Sequence, residues 1–296
     1  MIREYQIRDV VPYINWLYFF HAWGFESCYA AVAQLHDCEG CRRGWIASFA
    51  QKGERNKATE AIRLFSDATK MLQNLDDKIC VRTKCRLCIA NSDKNDLLLD
   101  GIRLPLLRQQ ATSSPNDNCL CLSDFVQPLE SGIDDTVGVF AASVSDKIEA
   151  DYASDPYELL MIQTLCDRLV EAGVELLHLN VRKHIWGYSP DEDLSIAALH
   201  AERFQGIRPA VGYPSLPDQS VNFILDSLLN FKDIGVTLTE HGAMHPHASV
   251  SGLMIAHPSA HYFNIGVIGE DQLADYAQRR GIEKETMRRY LKHINN

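Results

Sequence analysis

The stretch Gln205-Gly206-Ile207-Arg208-Pro209-Ala210-Val211-Gly212-Tyr213-Pro214 holds two glycines and two prolines in ten residues and reads as a rigid loop, neither helix nor strand. Pro209 and Pro214 each lock their own φ and push the preceding residue toward an extended conformation. Gly206 and Gly212 allow backbone geometry, or a close approach, that a Cβ would forbid. The path is therefore preset. On it hang Arg208, whose planar fork matches a carboxylate, and Tyr213, which offers an apolar face and a hydroxyl. A small zwitterion with an attached cation would suit this pair. The competing reading of the same residues is a structural turn with an exposed arginine.

Upstream of the loop, Ser154-Asp155-Pro156 announces a helix with a cap and an early proline. The apolar period runs on through Leu159, Ile162, Leu165, Leu169, Val170, Leu176 and Leu177. Asp167, Glu171, Glu175, His178 and Arg182 recur at spacings of four and three, so they share one face, and a solvated surface with i, i+4 pairs is the default expectation for it. Two acids one turn apart would also suit a cation or a histidine that changes protonation.

Downstream, residues 218–234 read as a helix closed by Gly235. Residues 236–239, 250–256 and 261–268 read as strands, the last two joined in a hairpin through His257-Pro258-Ser259-Ala260, and residues 270–280 and 283–294 as short helices. Toward the N-terminus, strands are expected at 85–90, 96–104 and 136–143, and an amphipathic helix over 54–75 from Ala58, Ala61, Ile62, Phe65, Ala68, Leu72 and Leu75. Residues 28–53 show no period and read as irregular, while residues 10–25 are rich in aromatics and suit a buried helix or clamp. No repeat or low-complexity linker divides the chain, so a single domain over 1–296 is expected, with 1–53 an N-terminal segment and 54–296 the main body.

The formal net charge of −10 leaves no basic excess to neutralise phosphates, which argues against a nucleic-acid partner. The most apolar N-terminal run, residues 10–25, contains Pro12, Asn15 and His21 and is too short to span a bilayer, so no membrane partner and a cytoplasmic chain are expected. Nine cysteines, an odd number, cannot all pair within the chain, and reduced thiols are the default.

Two constellations could mean metal. Cys38-x-x-Cys41 and Cys85-x-x-Cys88 give four thiols, but 43 residues lie between the pairs, and residues three apart on a strand point to opposite faces. Five of the eleven histidines, His241, His245, His247, His257 and His261, fall within 21 residues, although Met244, Pro246, Ala248 and Ser249 break the period that would converge them. No nucleophile elbow, Walker loop, dinucleotide fingerprint or His-Glu-x-x-His pair is present.

The run Val181-Arg182-Lys183-His184-Ile185-Trp186-Gly187-Tyr188-Ser189-Pro190-Asp191-Glu192-Asp193-Leu194-Ser195, followed by the loop at 205–214, resembles the activation domain of cobalamin-dependent methionine synthase. Leu238-Thr239-Glu240, Ala243-Met244, Ala248-Ser249-Val250-Ser251-Gly252, His257-Pro258 and Asp271-Gln272 with Asp275-Tyr276-Ala277 stand in the same order. Gln109-Gln110, Ser123-Asp124-Phe125-Val126-x-Pro128, Asn15-Trp16 and Phe19-Phe20 extend the likeness to nearly the whole chain.

The resemblance implies a C-shaped α+β domain with a central twisted antiparallel sheet flanked by helices, binding S-adenosylmethionine. It also implies a partner that carries cobalamin and a flavodoxin-type electron donor, which together with the methyl group of S-adenosylmethionine restore methylcobalamin from cob(II)alamin. By matching motif, Arg208 takes the methionine carboxylate, Ala210, Gly212 and Tyr213 border the ligand, Tyr262 flanks it, and Asn15 and Glu171 lie on the ligand side. Asp167, Tyr213 and Gln219 meet the cobalamin domain, and no catalytic side chain or metal ligand is implied.

Three departures stand out. Asn15 replaces an acid, keeping an acceptor but losing the charge for an ammonium; Gln219 replaces a histidine; and His245 and His247 replace a tryptophan and a glycine. With no Asp-x-His-x-x-Gly cobalamin motif and no room for substrate barrels, the chain is expected to be a methyltransferase component that reactivates a cobalamin-bearing chain in trans and is not active alone. The alternatives are a non-catalytic S-adenosylmethionine or cobalamin sensor and a metal protein built on the histidine cluster.

Overall fold

The computed structural model describes residues 1–36, 38–50, 54–112 and 118–291. Strand β1 (Ile2–Gln6) leads into helix α1 (Ile7–Val10), helix α2 (Trp16–Ala22), a 3-10 stretch (Ser27–Gln34), and helices α3 (Glu39–Ser48) and α4 (Arg55–Leu75). Strands β2 (Cys80–Asp93), β3 (Asp96–Leu99), β4 (Ile102–Pro105) and β5 (Asp135–Val144) follow, then the long helix α5 (Pro156–Asn180). The remainder holds α6 (Ile196–His200), α7 (Asn222–Leu229), β6 (Thr237–Leu238), β7 (Met244–His245), β8 (Ser249–Met254), α8 (Glu270–Arg280) and α9 (Lys284–Tyr290). The class is α+β, with an antiparallel sheet and flanking helices, as expected.

The chain forms two compact units that interleave in sequence. A sheet unit comprises Met1–Arg3, Thr83–Ser143 and Leu177–Asn296, and a helical unit comprises Glu4–Arg82 and Val144–Leu176. In the helical unit the aromatic N-terminal segment packs on α4, with the Trp16 ring edge-on to Phe65 at 4.7 Å. The apolar period of α4 is realised: Ala58, Ala61, Ala68, Leu72 and Leu75 are buried, joined by Leu64 and Met71. Tyr157 at the start of α5 donates its hydroxyl to Asp67 of α4 at 3.0 Å.

The sheet runs β4-β3-β2-β5-β8, with β1 paired to β2. β3 and β4 form one hairpin where a single strand over 96–104 is expected: Leu99 pairs Ile102 across Asp100 and Gly101, both at positive φ. Asp-Gly is the two-residue turn whose twist matches its strands, a signal that the apolar run masks. β5, where a strand is expected over 136–143, is buried on both faces over most of its length. Its partner β8 registers Val139 on Leu253 and Ala141 on Ser251.

Other expectations are corrected. Residues 28–53 are not irregular, since the 3-10 stretch and α3 occupy their described part; α3 buries no residue and so has no apolar period to read. The expected helix over 218–234 breaks into a 3-10 turn, α7, a left-handed Asn230 and a second 3-10 turn closed by Gly235. No strand forms at 261–268; that segment instead buttresses the loop at 205–214, with the Ile265 N–H donating to the Pro214 carbonyl at 3.0 Å. The end of the helix expected at 283–294 lies partly outside the described residues, and α9 covers 284–290.

Candidate functional site

Residues 205–214 lie along the edge of β8. Ile207 and Ile255 exchange two backbone hydrogen bonds of 2.9 Å, Leu253 N–H donates to the Pro209 carbonyl at 3.0 Å, and Val211 N–H donates to the Ser251 carbonyl at 2.9 Å. These pairs share one antiparallel register, in which every second residue from 207 to 211 faces β8. At Pro209 the return bond is missing because proline has no N–H, which is why a ladder exists here without a regular strand.

Two glycines let the backbones meet. A Cβ on Gly206, whose φ is +83°, would stand 2.3 Å from the Ile255 carbonyl, and a Cβ on Gly252 would stand 2.3 Å from the Pro209 carbonyl. Beyond the ladder the chain turns, with Gly212 N–H donating to the Leu216 carbonyl at 2.8 Å, and carries Tyr213 at its tip, 54% exposed. Exposed Gln219 lies beside this turn, its Cγ 3.8 Å from where a Gly212 Cβ would stand. The geometry thus brings together Arg208, Ala210, Gly212, Tyr213 and Gln219 in the sheet unit.

Arg208 is half-buried and held from two sides. Its backbone N–H donates to the Tyr262 hydroxyl at 3.0 Å, and its Nη1 donates to His178 Nδ1 at 3.3 Å. Because a guanidinium can only donate, Nδ1 must accept, which assigns the ring proton to Nε2, 3.1 Å from the Tyr188 hydroxyl. His178 is fully buried, and that burial, followed by the positive charges of Arg208 and Arg182, holds its pKa well below the ordinary histidine range. It is a neutral positioning group. Burial also pushes the Tyr188 phenol up, so it stays protonated.

Beneath this layer sits Arg182. It occupies a π-helical turn, Val181–Ile185, that continues α5 with more residues per turn, as in the Trp186 N–H to Val181 carbonyl bond, and so shifts the side chain out of the α-helical register. Its Nε and Nη2 donate to the two Glu192 carboxylate oxygens at 2.8 and 2.7 Å, while its guanidinium carbon lies 4.1 Å from the Phe204 ring centroid. Arg208 approaches the same ring at 5.4 Å.

The expected solvated stripe is therefore overturned at its C-terminal end. Glu175, His178 and Arg182 are buried, and only Asp167 and Glu171 are half-exposed. Helical spacing reports that residues share a face, not what covers it. A further buried network was not anticipated: Asp218 accepts from Ser220 N–H and from the Tyr276 hydroxyl, both at 2.8 Å, with Arg280 at 3.4 Å, and ties α8 to the segment after the loop. Tyr276 in Asp275-Tyr276-Ala277 was its one visible signal.

The other expected ligand-side residues belong to the helical unit. Asn15 caps α2, its Oδ1 accepting from Leu17 N–H at 3.2 Å, and Glu171 pairs with Arg168 at 2.9 Å. Arg168 in turn lies 6.0 Å over the Tyr18 ring.

Neither metal arrangement from the sequence assembles among the described residues. Cys85 and Cys88 are buried in β2, burial pushes the Cys88 thiol up to about 12, and no three of the histidines at 241–261 bring ligand atoms together. The group that does converge is His36, Cys38 and Cys41. No helix among the described residues is long and apolar enough to cross a membrane.

A crystal structure of the MetH reactivation domain bound to AdoHcy is 34% identical to this chain, with a TM-score of 0.86, covering 99% of this chain and 89% of that one. A family model described as the activation domain of vitamin B12 dependent methionine synthase matches residues 6–281. That match spans the ladder loop, the π turn and Tyr262 alike, and the chain belongs to the family of vitamin B12-dependent methionine synthase activation domains.

Proposed function

We propose that the protein binds S-adenosylmethionine at the loop over β8 and supports reductive methylation of cob(II)alamin held by a cobalamin-bearing chain in trans, with a flavodoxin-type protein as electron donor. The observation that carries this reading is the setting of Arg208. Its neighbours Ile207 and Pro209 are tied to the β8 edge, its own backbone N–H donates to Tyr262, and its side chain meets a neutral imidazole.

The donor set fits the ligand. A carboxylate takes the two parallel N–H groups of a guanidinium, and an aromatic face takes an adenine ring or a sulfonium. Tyr213 and Tyr262 are exposed aromatic groups of this region, at 54% and 37%. Ala210, Gly212 and Tyr213 follow Arg208 on the same preset turn, so a ligand on Arg208 would run along their backbone. Asn15 and Glu171 in the helical unit keep ligand-side roles in this proposal, and Asp167, Tyr213 and Gln219 keep contacts to the cobalamin domain. With one electron from the flavodoxin-type donor, cob(II)alamin on the partner would become the cobalt(I) nucleophile that accepts the methyl group, with S-adenosylhomocysteine as the leaving group. This chain holds and orients the donor and supplies no acid or base.

Calorimetry with S-adenosylmethionine and S-adenosylhomocysteine tests the reading, first on the protein alone and then with a cobalamin domain and a reduced flavodoxin. Binding that Arg208→Ala abolishes, followed by methyl transfer in the full mixture, is the expected result. Binding without any transfer in that mixture would reduce the protein to a sensor. No binding of either compound would end the proposal.

A further inference from the structure

In the helical unit, far in sequence from the loop of the proposed site, His36, Cys38 and Cys41 present one nitrogen and two sulfurs that all lie within 4.8 Å of one another. Local backbone geometry brings them together. Cys38 N–H donates to the His36 carbonyl at 2.8 Å just before α3. Cys38 is the cap residue of that helix, with extended φ and ψ of −134° and 152°, and its Sγ accepts from Cys41 N–H at 3.3 Å. Ser, Thr, Asp or Asn ordinarily fills this place, and here a sulfur does the capping.

We propose that His36, Cys38 and Cys41 supply three ligands of a binding site for zinc, with the fourth coordination position left open by the described residues. Tetrahedral zinc with Zn–S of about 2.3 Å and Zn–N of about 2.0 Å needs ligand-to-ligand edges of roughly 3.5–3.8 Å. All three atoms lie within 4.8 Å of one another, so no pair exceeds those edges by more than about 1.3 Å. Two thiolates and an imidazole are the donor set of zinc and disfavour magnesium or calcium, which demand oxygen.

The electrostatics agree with the geometry. Backbone N–H groups at a helix start favour a thiolate, and Cys38 Sγ accepts from one of them, that of Cys41, at 3.3 Å. Buried Cys88 and Cys166 are pushed up to about 12 instead, so these are packing residues. Zinc entering the site displaces the two thiol protons to solvent, and no electron moves.

The site also differs from both arrangements considered in the sequence. It takes one half of the four-thiol set and replaces Cys85 and Cys88 with a histidine two residues away, so its loop is short enough to organise itself. Among the described residues the site has three protein ligands, where a structural zinc centre has four, and the position they leave is the place for water or for a further donor atom.

The test uses the full chain, reduced and freed of metal, titrated with cobalt(II) and then zinc(II). The expected result is one equivalent of cobalt with thiolate charge-transfer absorption and tetrahedral d–d bands, bleached by zinc. Cys38→Ser and Cys41→Ser should each weaken binding at least about a hundredfold, because even indirect partners of a metal are worth about 10- to 100-fold. His36→Ala should weaken it at least tenfold. Cys28→Ser and Cys119→Ser should change nothing, and without metal Cys38→Ser should stay folded, because serine can take over the cap of α3. Absence of a cobalt spectrum would overturn the proposal. So would binding that survives in the Cys38→Ser/Cys41→Ser double variant, or metal-free protein in which Cys38 and Cys41 are oxidised to each other and stay so under mild reductant.

Discussion

The π turn at Val181–Ile185 and the ladder loop at 205–214 each deliver one arginine to the ring of Phe204, and they use it differently. Arg182 is wholly buried, and its fork is closed by Glu192 from ten positions along the chain. Arg208 is half-buried, its backbone is fastened by Tyr262, and its side chain meets the neutral ring of His178. An arginine matched two-for-two by an internal carboxylate belongs to the scaffold. One that rides on a rigid turn and stays half-buried presents a planar fork whose geometry suits a carboxylate. His178 stands between the two regions: the guanidiniums that flank it help to keep it neutral.

The largest effect that could break this comparison is on stability. Arg182→Met leaves the Glu192 carboxylate buried without its partner and should cost about 3–5 kcal/mol in denaturant unfolding, while adding Glu192→Met should recover most of that loss. A single-variant cost under about 1 kcal/mol would mean that the pair does not hold the turn.

Arg208→Ala should show the reverse profile. S-adenosylmethionine affinity should fall by about 2–4 kcal/mol in calorimetry while unfolding changes by less than about 1 kcal/mol. If Arg208→Ala destabilises the fold as much as Arg182→Met, the distinction between scaffold and site collapses.

His178 sharpens the comparison through pH. Its folded pKa is depressed, so as pH falls the unfolded chain takes up the proton first, and stability is lost below the unfolded value of about 6.5. The contribution is fully present above that pH. Unfolding free energy should be about 1.4 kcal/mol lower at about pH 5.5 than at about pH 7.5 on account of this residue, and His178→Asn should remove that slope. Superimposable profiles for the two proteins would show that the ring is not held neutral.

The smallest effect concerns Asn15. As the cap of α2 it should tolerate Asp within a few tenths of a kcal/mol and lose about 1 kcal/mol with Ala, read from thermal unfolding. Asn15→Asp should at the same time tighten S-adenosylmethionine, since it restores a charge for the ammonium. Weaker binding in a stable Asn15→Asp protein would remove this residue from the ligand side.

Much of the architecture could be read from local pattern. The apolar period of α4 and α5, the apolar runs of β2 and β5, and the Gly/Pro frame of the loop are short-range signals, and each produced an element close to where it was expected. Elements with no such signal were missed. α3 turns every side chain toward at least partial solvent and has no period, and the residues after β8 look apolar and extended but find no strand to pair with.

The sequence by itself determined the family, the class of fold and the rigid turn that carries Arg208 and Tyr213, because motif order, apolar period and the φ limits of proline and glycine all reside in residues close together along the chain. Only the tertiary structure decided which charged groups are buried and with whom. It moved Glu175, His178 and Arg182 from an expected surface into the interior, matched Arg182 with Glu192 across a π turn, made His178 neutral, laid the loop along β8, and set His36 beside Cys38 and Cys41. Charge, protonation and coordination depend on what surrounds an atom in space, and a helical spacing states only which residues share a side.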